Sequence, residues 1–350
     1  MGKTINLNGT NVSKERPCYI IAEIGSNHNR NLDKAKELID VAKGAGCNAV
    51  KFQSYTAGGI YSIYTPRISE MEGRSKEGET PYELIKRIEM PVEWHPILKA
   101  YCDQVGITFC STPFDEKMVD VLEAIDVPFY KVASYEITHY PMLRKIAQIG
   151  KPVILSTGNS GLSDIERAVN LLEKEGLHDY ALLHCVSQYP ARYEDINLKC
   201  LLTLETAFNC VAGFSDHTAD YLSSVAAVAM GAAIIEKHIT LNRKDPGPDH
   251  PFSLEPKELK EFVNAIRTTE LLLGSSVKRV RESEGENHRI GRRSIIAAKD
   301  IRAGDEITLE KIIIKRPALG LHPRFIDVVV GKKAKIDIPK DMWITWECLL

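Results

Sequence analysis

The chain has 350 residues, with 45 Lys+Arg against 47 Asp+Glu for a formal charge of −2, and 44% of it is apolar. That balance excludes wholesale disorder, a collagen-like repeat and a polybasic nucleic-acid arm, and the length accommodates one domain of about 250 residues plus a smaller one. The longest apolar run, Val225 to Ile235, is far short of the roughly 20 residues of a transmembrane helix, so neither nucleic acid nor membrane is an expected partner.

The amino terminus, Met1-Gly2-Lys3-Thr4-Ile5-Asn6, lacks the apolar core of a signal peptide, and Asn6 stands where a myristoylation signal carries Ser or Thr. The eight cysteines (18, 47, 102, 110, 185, 200, 210 and 348) are scattered without a C-x-x-C pair, which reads as reduced core thiols rather than a disulfide or zinc framework. A cytoplasmic location is expected, and there the sequons at Asn8 and Asn11 carry no meaning.

Short apolar, β-branched runs then alternate with helical periodicity. Candidate strands fall at residues 19–22, 49–52, 108–110, 129–132, 153–155, 180–184, 211–214 and 234–237. Helical patterns lie at 32–45, 92–105, 116–125, 140–149, 163–175, 198–208, 219–230 and 256–273. Strand then helix, eight times, predicts a closed parallel (β/α)8 TIM barrel over residues 1–273, with an open sheet carrying extra strands as the alternative. The insert 54–82, rich in Gly, Ser and Glu, is expected to loop over the top face. Residues 274–293 are polar and read as a linker. A small second domain follows at 294–350, with a strand-like 294–298, a turn at Arg302-Ala303-Gly304-Asp305, a short helix from Thr308 and an Ile-Pro-Lys-Asp turn. From Gly274 onward the charge is +5, leaving −7 for the barrel, so the basic tail is suited to reach an acidic site.

A barrel of this type carries its chemistry at the carboxyl ends of its strands. Polar residues stand at all eight such ends: Glu23 to His28; Lys51 and Gln53, which their spacing of two puts on one face; Ser111-Thr112; Lys131 and Ser134-Tyr135-Glu136; Ser156-Thr157; His184, Ser187 and Tyr189; Ser215-Asp216-His217; and Glu236 with His238. Any βα connection needs polar turn residues, so single hydroxyls say little. Lys51 and Lys131 say more, because each is flanked by apolar residues and points inward. Burying an ammonium costs several kcal/mol, offset by an anionic ligand or by a salt bridge to Glu23 or Glu136.

His217 and His238 lie 21 residues apart, one βα repeat, and should project side by side. Two converging imidazoles suit a catalytic divalent ion such as Mn²⁺, Mg²⁺ or Zn²⁺, with satisfied core histidines as the alternative. Asp216 is placed to be an outer-shell partner, and Asp249 follows in the Pro246-Gly247-Pro248-Asp249-His250 loop. No Gly-x-Ser-x-Gly elbow or Ser-His-Asp order is present, and Cys185 is enclosed by an apolar strand, which disfavours covalent acyl chemistry. No G-x-G-x-x-G follows the first strand, which argues against a dinucleotide. The residues alone describe a metal-assisted barrel enzyme with a small anionic substrate.

Ile21-Ala22-Glu23-Ile24-Gly25-Ser26-Asn27-His28, Val50-Lys51-Phe52-Gln53, Ser111-Thr112-Pro113-Phe114, Tyr130 to Glu136, Ser215-Asp216-His217 and Glu236-Lys237-His238 occur in that order. Together they resemble the sialic acid synthase family, whose members condense phosphoenolpyruvate with a hexosamine. The tail segments Arg292-Arg293-Ser294, Lys299-Asp300-Ile301, Lys315-Arg316-Pro317 and Gly331-Lys332-Lys333 are similar to that family's antifreeze-like (SAF) module, of β-clip type. The resemblance implies Glu136, Glu23 and Lys131 as catalytic residues. It implies substrate contacts from Lys51, Gln53, Thr112, Ser134, Ser156, Ser187, Tyr189, Ser215, Asp249 and Arg316, and a metal on His217 and His238, Mn²⁺ first, with Mg²⁺ or Co²⁺ as alternatives. It also implies a domain-swapped homodimer in which Arg316 serves the other subunit's sugar site.

Two features depart from the common pattern. Ser187 stands where these synthases commonly have Asn, and Gly320-Leu321-His322-Pro323 is reminiscent of pseudaminic acid synthases and spore-coat relatives, whereas the Pro-Gly-Pro-Asp-His loop leans towards sialic or legionaminic acid synthases. N-acetylneuraminate synthesis from N-acetylmannosamine is the leading expectation, with legionaminic or pseudaminic acid synthesis as alternatives. A metal-dependent hydrolase or aldolase on the same barrel, and a non-enzymatic ice- or carbohydrate-binding protein, are the alternatives of other classes.

Overall fold

The structure, a computed structural model, describes residues 3–67 and 78–350 and divides into two units between Gly274 and Ser275. The first unit opens with a hairpin, β1 (Ile5–Leu7) antiparallel to β2 (Thr10–Val12). Its turn is Asn8-Gly9, both at positive φ (52° and 80°), the pairing a tight two-residue hairpin favours. Ile5, Leu7 and Val12 pack with Tyr19, Ile21 and Phe129, so the hairpin plugs the amino-terminal end of the strands that follow.

Those strands are β3 (Tyr19–Glu23), β4 (Ala49–Ser54), β5 (Thr108–Pro113), β6 (Tyr130–Val132), β7 (Val153–Ser156), β8 (Tyr180–Cys185), β9 (Val211–Asp216) and β10 (Ile234–His238). They form one parallel sheet in the order β5-β4-β3-β10-β9-β8-β7-β6, in which β10 pairs with β3 as well as β9. β5 and β6 lie against each other without a ladder, so the sheet is a nearly closed barrel of TIM type rather than an open sheet. Helices cover the outside, among them Leu32–Ala45, Trp94–Val105, Tyr140–Ile149, Leu162–Lys174 and Pro256–Leu273. Asn31 caps the first of them at Lys34 N, and Gly46 ends it at φ 92°.

Strand alternation sorts the side chains. Val50 and Phe52 of β4 join the large apolar layer between strands and helices, Ala49 joins the inner cluster above the hairpin, and Lys51 turns inward. Within the insert expected as a top-face loop, Ala57–Ile60 forms a helical turn and Pro81 begins a helix with Thr80 as its cap; positions 68–77 lie outside the described residues.

In the second unit β11 (Ser294–Ala297) pairs antiparallel with β12 (Ile312–Lys315), and single bridges such as Ile296 to Trp343 and Ile301 to Ile338 extend the framework. Ile295, Ala297, Ile301, Ile307, Val329 and Ile344 form its core. The short helix expected from Thr308 is one 3-10 turn, Leu309–Lys311, because the chain is pulled into the β12 ladder directly after it. The stretch read as linker carries a helix, Gly285–Gly291, with no buried residue.

Candidate active site

The first groups to meet at the carboxyl end of the barrel are charged. Register sets Glu23 of β3 beside Lys51 of β4, and Lys51 Nζ lies 2.9 Å from Glu23 Oε2. Lys51 also lies 3.8 Å from Glu236 Oε2, and Lys131 Nζ lies 3.5 Å from the same oxygen. Charges thus alternate across the cavity: Glu23, Lys51, Glu236, Lys131. Burial would neutralise Lys51, but Glu23 and Glu236 outweigh it and hold the ammonium above its usual range. Burial dominates at Lys131 and lowers it, with Glu236 opposing. Burial also opposes ionisation of Glu236, yet Lys131 and Lys51 bring that carboxyl down to about 2. The salt bridge expected for the inward lysines therefore exists, but its second carboxylate is Glu236, which the sequence reading left without a role.

Hydroxyls surround this line. Lys51 Nζ donates to Thr112 Oγ1 at 3.2 Å, Lys131 Nζ to Ser156 Oγ at 2.7 Å, and Ser215 Oγ to Glu236 Oε1 at 2.9 Å. Gln53 Nε2 donates to Glu23 Oε1 at 2.6 Å, as the two-residue spacing from Lys51 predicts. Ser134 Oγ accepts from Gly158 N, and a Cβ at Gly158 would overlap Ser187 Oγ and stand 2.9 Å from Ser134 Oγ, so Ser134, Ser187 and β7's exit loop crowd one corner. Asp249 is at the opposite corner: Ser26 Oγ donates to it at 3.3 Å, and a Cβ at Gly25 would lie 3.1 Å from Asp249 Oδ2, 3.2 Å from Glu23 Oε1 and 3.3 Å from Gln53 Nε2. Glu136, on the 3-10 turn Ser134–Thr138 after β6, is raised to about 7 by burial. Ser111 faces the other way and joins Ser54 and His95 under the helices.

His217 and His238 stand side by side with ring centroids 5.6 Å apart. Tyr189 covers His217 at 4.2 Å, and Phe252 lies 5.0 Å from His238 and 5.4 Å from Tyr189, completing an aromatic wall. His217 Nδ1 donates to Val186 O at 2.8 Å, which leaves the lone pair on Nε2. Burial, reinforced by His217, holds His238 well below the usual imidazole range, so it is neutral. Its Nδ1 is buried with no hydrogen-bond partner. At His217 burial is outweighed by Cys185, which raises that ring above its usual range; in their deprotonated forms two imidazoles placed in this way fit a divalent ion. Among the described residues no group of three or more His, Cys, Asp and Glu gathers to hold a metal, so two rings are what the protein would supply, the rest falling to water and substrate.

Three expectations are corrected here. Asp216 bonds to neither imidazole: alternation turns it outward, where it meets Lys237 at 3.3 Å and the hydroxyls of Thr218, Ser223 and Ser224. His184 also faces outward, stacking on Phe214 and bonding Ile196 O. Cys185 turns inward, with Sγ 3.7 Å from His217 Nδ1. Arg316 stands exposed in the second unit, directly after β12. Phe252 had no signal beyond an apolar loop residue.

Known proteins resemble the chain over both units. The NeuB family model matches residues 38–278 and the SAF domain model residues 292–350. The N,N'-diacetyllegionaminic acid synthase of Legionella pneumophila is 38% identical, over 99% of both chains. The pseudaminic acid synthase of Helicobacter pylori is 36% identical, over 91% of this chain and 94% of its own. The crystal structure of an N-acetylneuraminic acid synthetase from Leptospira borgpetersenii superposes with a TM-score of 0.72 at 36% identity, over 82% of this chain and 95% of that one.

Proposed function

The chain belongs to the NeuB family and ends in a SAF domain, and from that premise we propose that it joins phosphoenolpyruvate, an N-acyl hexosamine and water into a sialic-acid-type sugar plus phosphate. Its relatives are synthases, so it is an enzyme of that type, and the ice-binding alternative is set aside. N-acetylmannosamine is the first candidate sugar. The legionaminic and pseudaminic acid synthases among its relatives support precursors of those sugars as alternatives. Eight free cysteines, seven of them buried, fit a reducing compartment, and we assign the enzyme to the cytoplasm.

One observation carries the reading. Glu136 Oε2, Ser187 Oγ and His238 Nδ1 are all buried without a hydrogen-bond partner at the same end of the barrel. Buried polar atoms left in this way mark where ligand atoms belong. Lys51 and Lys131, with Thr112, Ser134, Ser156 and Ser215, would hold the phosphate and carboxylate of phosphoenolpyruvate. Glu23, Gln53, Asp249, Ser187 and Tyr189 would hold the sugar. His217 and His238 would hold the divalent ion, Mn²⁺ first and Mg²⁺ or Co²⁺ as alternatives; when bound, it supplies Lewis acidity to the sugar's aldehyde oxygen.

Carbon three of phosphoenolpyruvate bonds to the aldehyde carbon, whose oxygen takes up a proton from solvent. Carbon two becomes cationic and adds water, which gives one of its protons to Glu136. The tetrahedral intermediate then breaks the bond from carbon two to the phosphate's bridging oxygen, its hydroxyl proton passing to the departing phosphate and leaving a ketone. Arg316 of the partner subunit would contact the sugar's N-acyl group, making the working unit a domain-swapped homodimer. The test is phosphate release from phosphoenolpyruvate with a divalent ion and a panel of N-acyl hexosamines, product mass naming the sugar. Release should need both sugar and ion; an equal rate without sugar would reject the proposal.

A further inference from the structure

One buried ion pair at this end of the barrel takes no part in the chemistry just described. Asp216 and Lys237 are both 0% exposed, they are register partners on β9 and β10, and Lys237 Nζ lies 3.3 Å from Asp216 Oδ1. Each immediately precedes one of the two imidazoles, Asp216 before His217 and Lys237 before His238. Alternation puts the pair on the helix side and the rings on the cavity side of the same two strand ends.

The bonding closes a loop around His217. Asp216 Oδ1 accepts from Thr218 N and Thr218 Oγ1, both at 2.8 Å, while Lys237 Nζ donates to Thr218 O at 2.5 Å. Ser223 Oγ and Ser224 Oγ donate to Asp216 Oδ2 at 2.8 and 2.5 Å. The residue before one histidine is therefore bonded to the residues on both sides of the other. A one-residue slip of β10 against β9 would put a ring on the wrong face of the sheet, and a smaller shift would part the rings. We infer that Asp216 and Lys237 are positioning residues: a strand-end clamp that sets the two imidazoles at one height, so that they receive the ion as a pair. This rests on the reading of His217 and His238 as ion-holding residues.

The test uses the full-length protein and Mn²⁺, titrated by electron paramagnetic resonance. Asp216→Asn keeps the shape but removes the charge that holds Lys237, and should raise the Mn²⁺ dissociation constant about 10- to 100-fold. Ser54→Ala, which cuts the Ser54 to His95 bond elsewhere on the helix side, is the control for mere destabilisation and should leave the constant within twofold. Equal losses in both variants, or none in Asp216→Asn, would overturn the clamp. A second readout needs no metal: in histidine-labelled protein, the ring resonances of His217 and His238 should shift in Asp216→Asn and stay in place in Ser54→Ala. Should Asp216→Asn fail to fold, Ser223→Ala removes one donor to the carboxylate and should move the same resonances by less; unmoved resonances would count against the clamp. Wild type that binds no Mn²⁺ would defeat the ion-holding reading, whereas the ring resonances still decide whether the clamp orients the histidines.

Discussion

Burial pushes the Glu136 carboxyl up to about 7, a backbone hydrogen bond and the Lys131 charge opposing it by less. A group raised in this way is protonated below that pH and ionised above it, so a base role needs the high-pH form. The account predicts that kcat/KM rises with pH through about 7. Glu136→Gln should flatten this limb and lower the rate about 10²- to 10⁴-fold; an unchanged limb in that variant would remove Glu136 from the role. The same shift favours the proton in the folded state over the unfolded, so its stability contribution fades as pH climbs from the ordinary carboxyl range towards 7. Lys51 and Lys131 were legible because a lysine between apolar neighbours must point into the barrel and needs an anion there. Glu236, between Ile235 and Lys237, lacks that flanking pattern, and its importance depends on lysines from β4 and β6, partners that no local pattern announces so far along the chain.

At the scale of elements, all eight barrel strands and the helices Leu32–Ala45, Tyr140–Ile149 and Pro256–Leu273 were readable, because period-2 and period-3.6 apolar patterns are local properties. The β1–β2 hairpin was not anticipated, although Asn8-Gly9 is a strong turn signal; its strands are three residues each, too short for alternation to register. Asp216 was misassigned for a related reason. Neighbours in sequence lie on opposite faces of a strand, so the residue next to a cavity-facing histidine is turned to the helices. Gly213, two positions before Ser215, shows how closely β8, β9 and β10 pack: a Cβ there would come within 2.5 Å of Ile234 O and of a Leu183 methyl. The barrel interior at that level has no room for one more carbon.

For the whole molecule, the sequence divides an acidic barrel from a basic tail, and the structure divides in the same region, after Gly274. The proposed domain swap makes a prediction at this scale. His217→Ala and Arg316→Ala protein, each inactive or nearly so, should regain activity when mixed and allowed to exchange subunits, since a mixed dimer holds one intact site. No recovery after confirmed exchange would argue that each subunit completes its own site. Beneath this lies the central claim, that the lysine pair and Glu136 guide attack at carbon two and expulsion of phosphate with its bridging oxygen. Phosphoenolpyruvate labelled with ¹⁸O at that oxygen tests it most directly. The account predicts that the label leaves in inorganic phosphate, in an amount equal to sugar product formed; label retained in the sugar would contradict it.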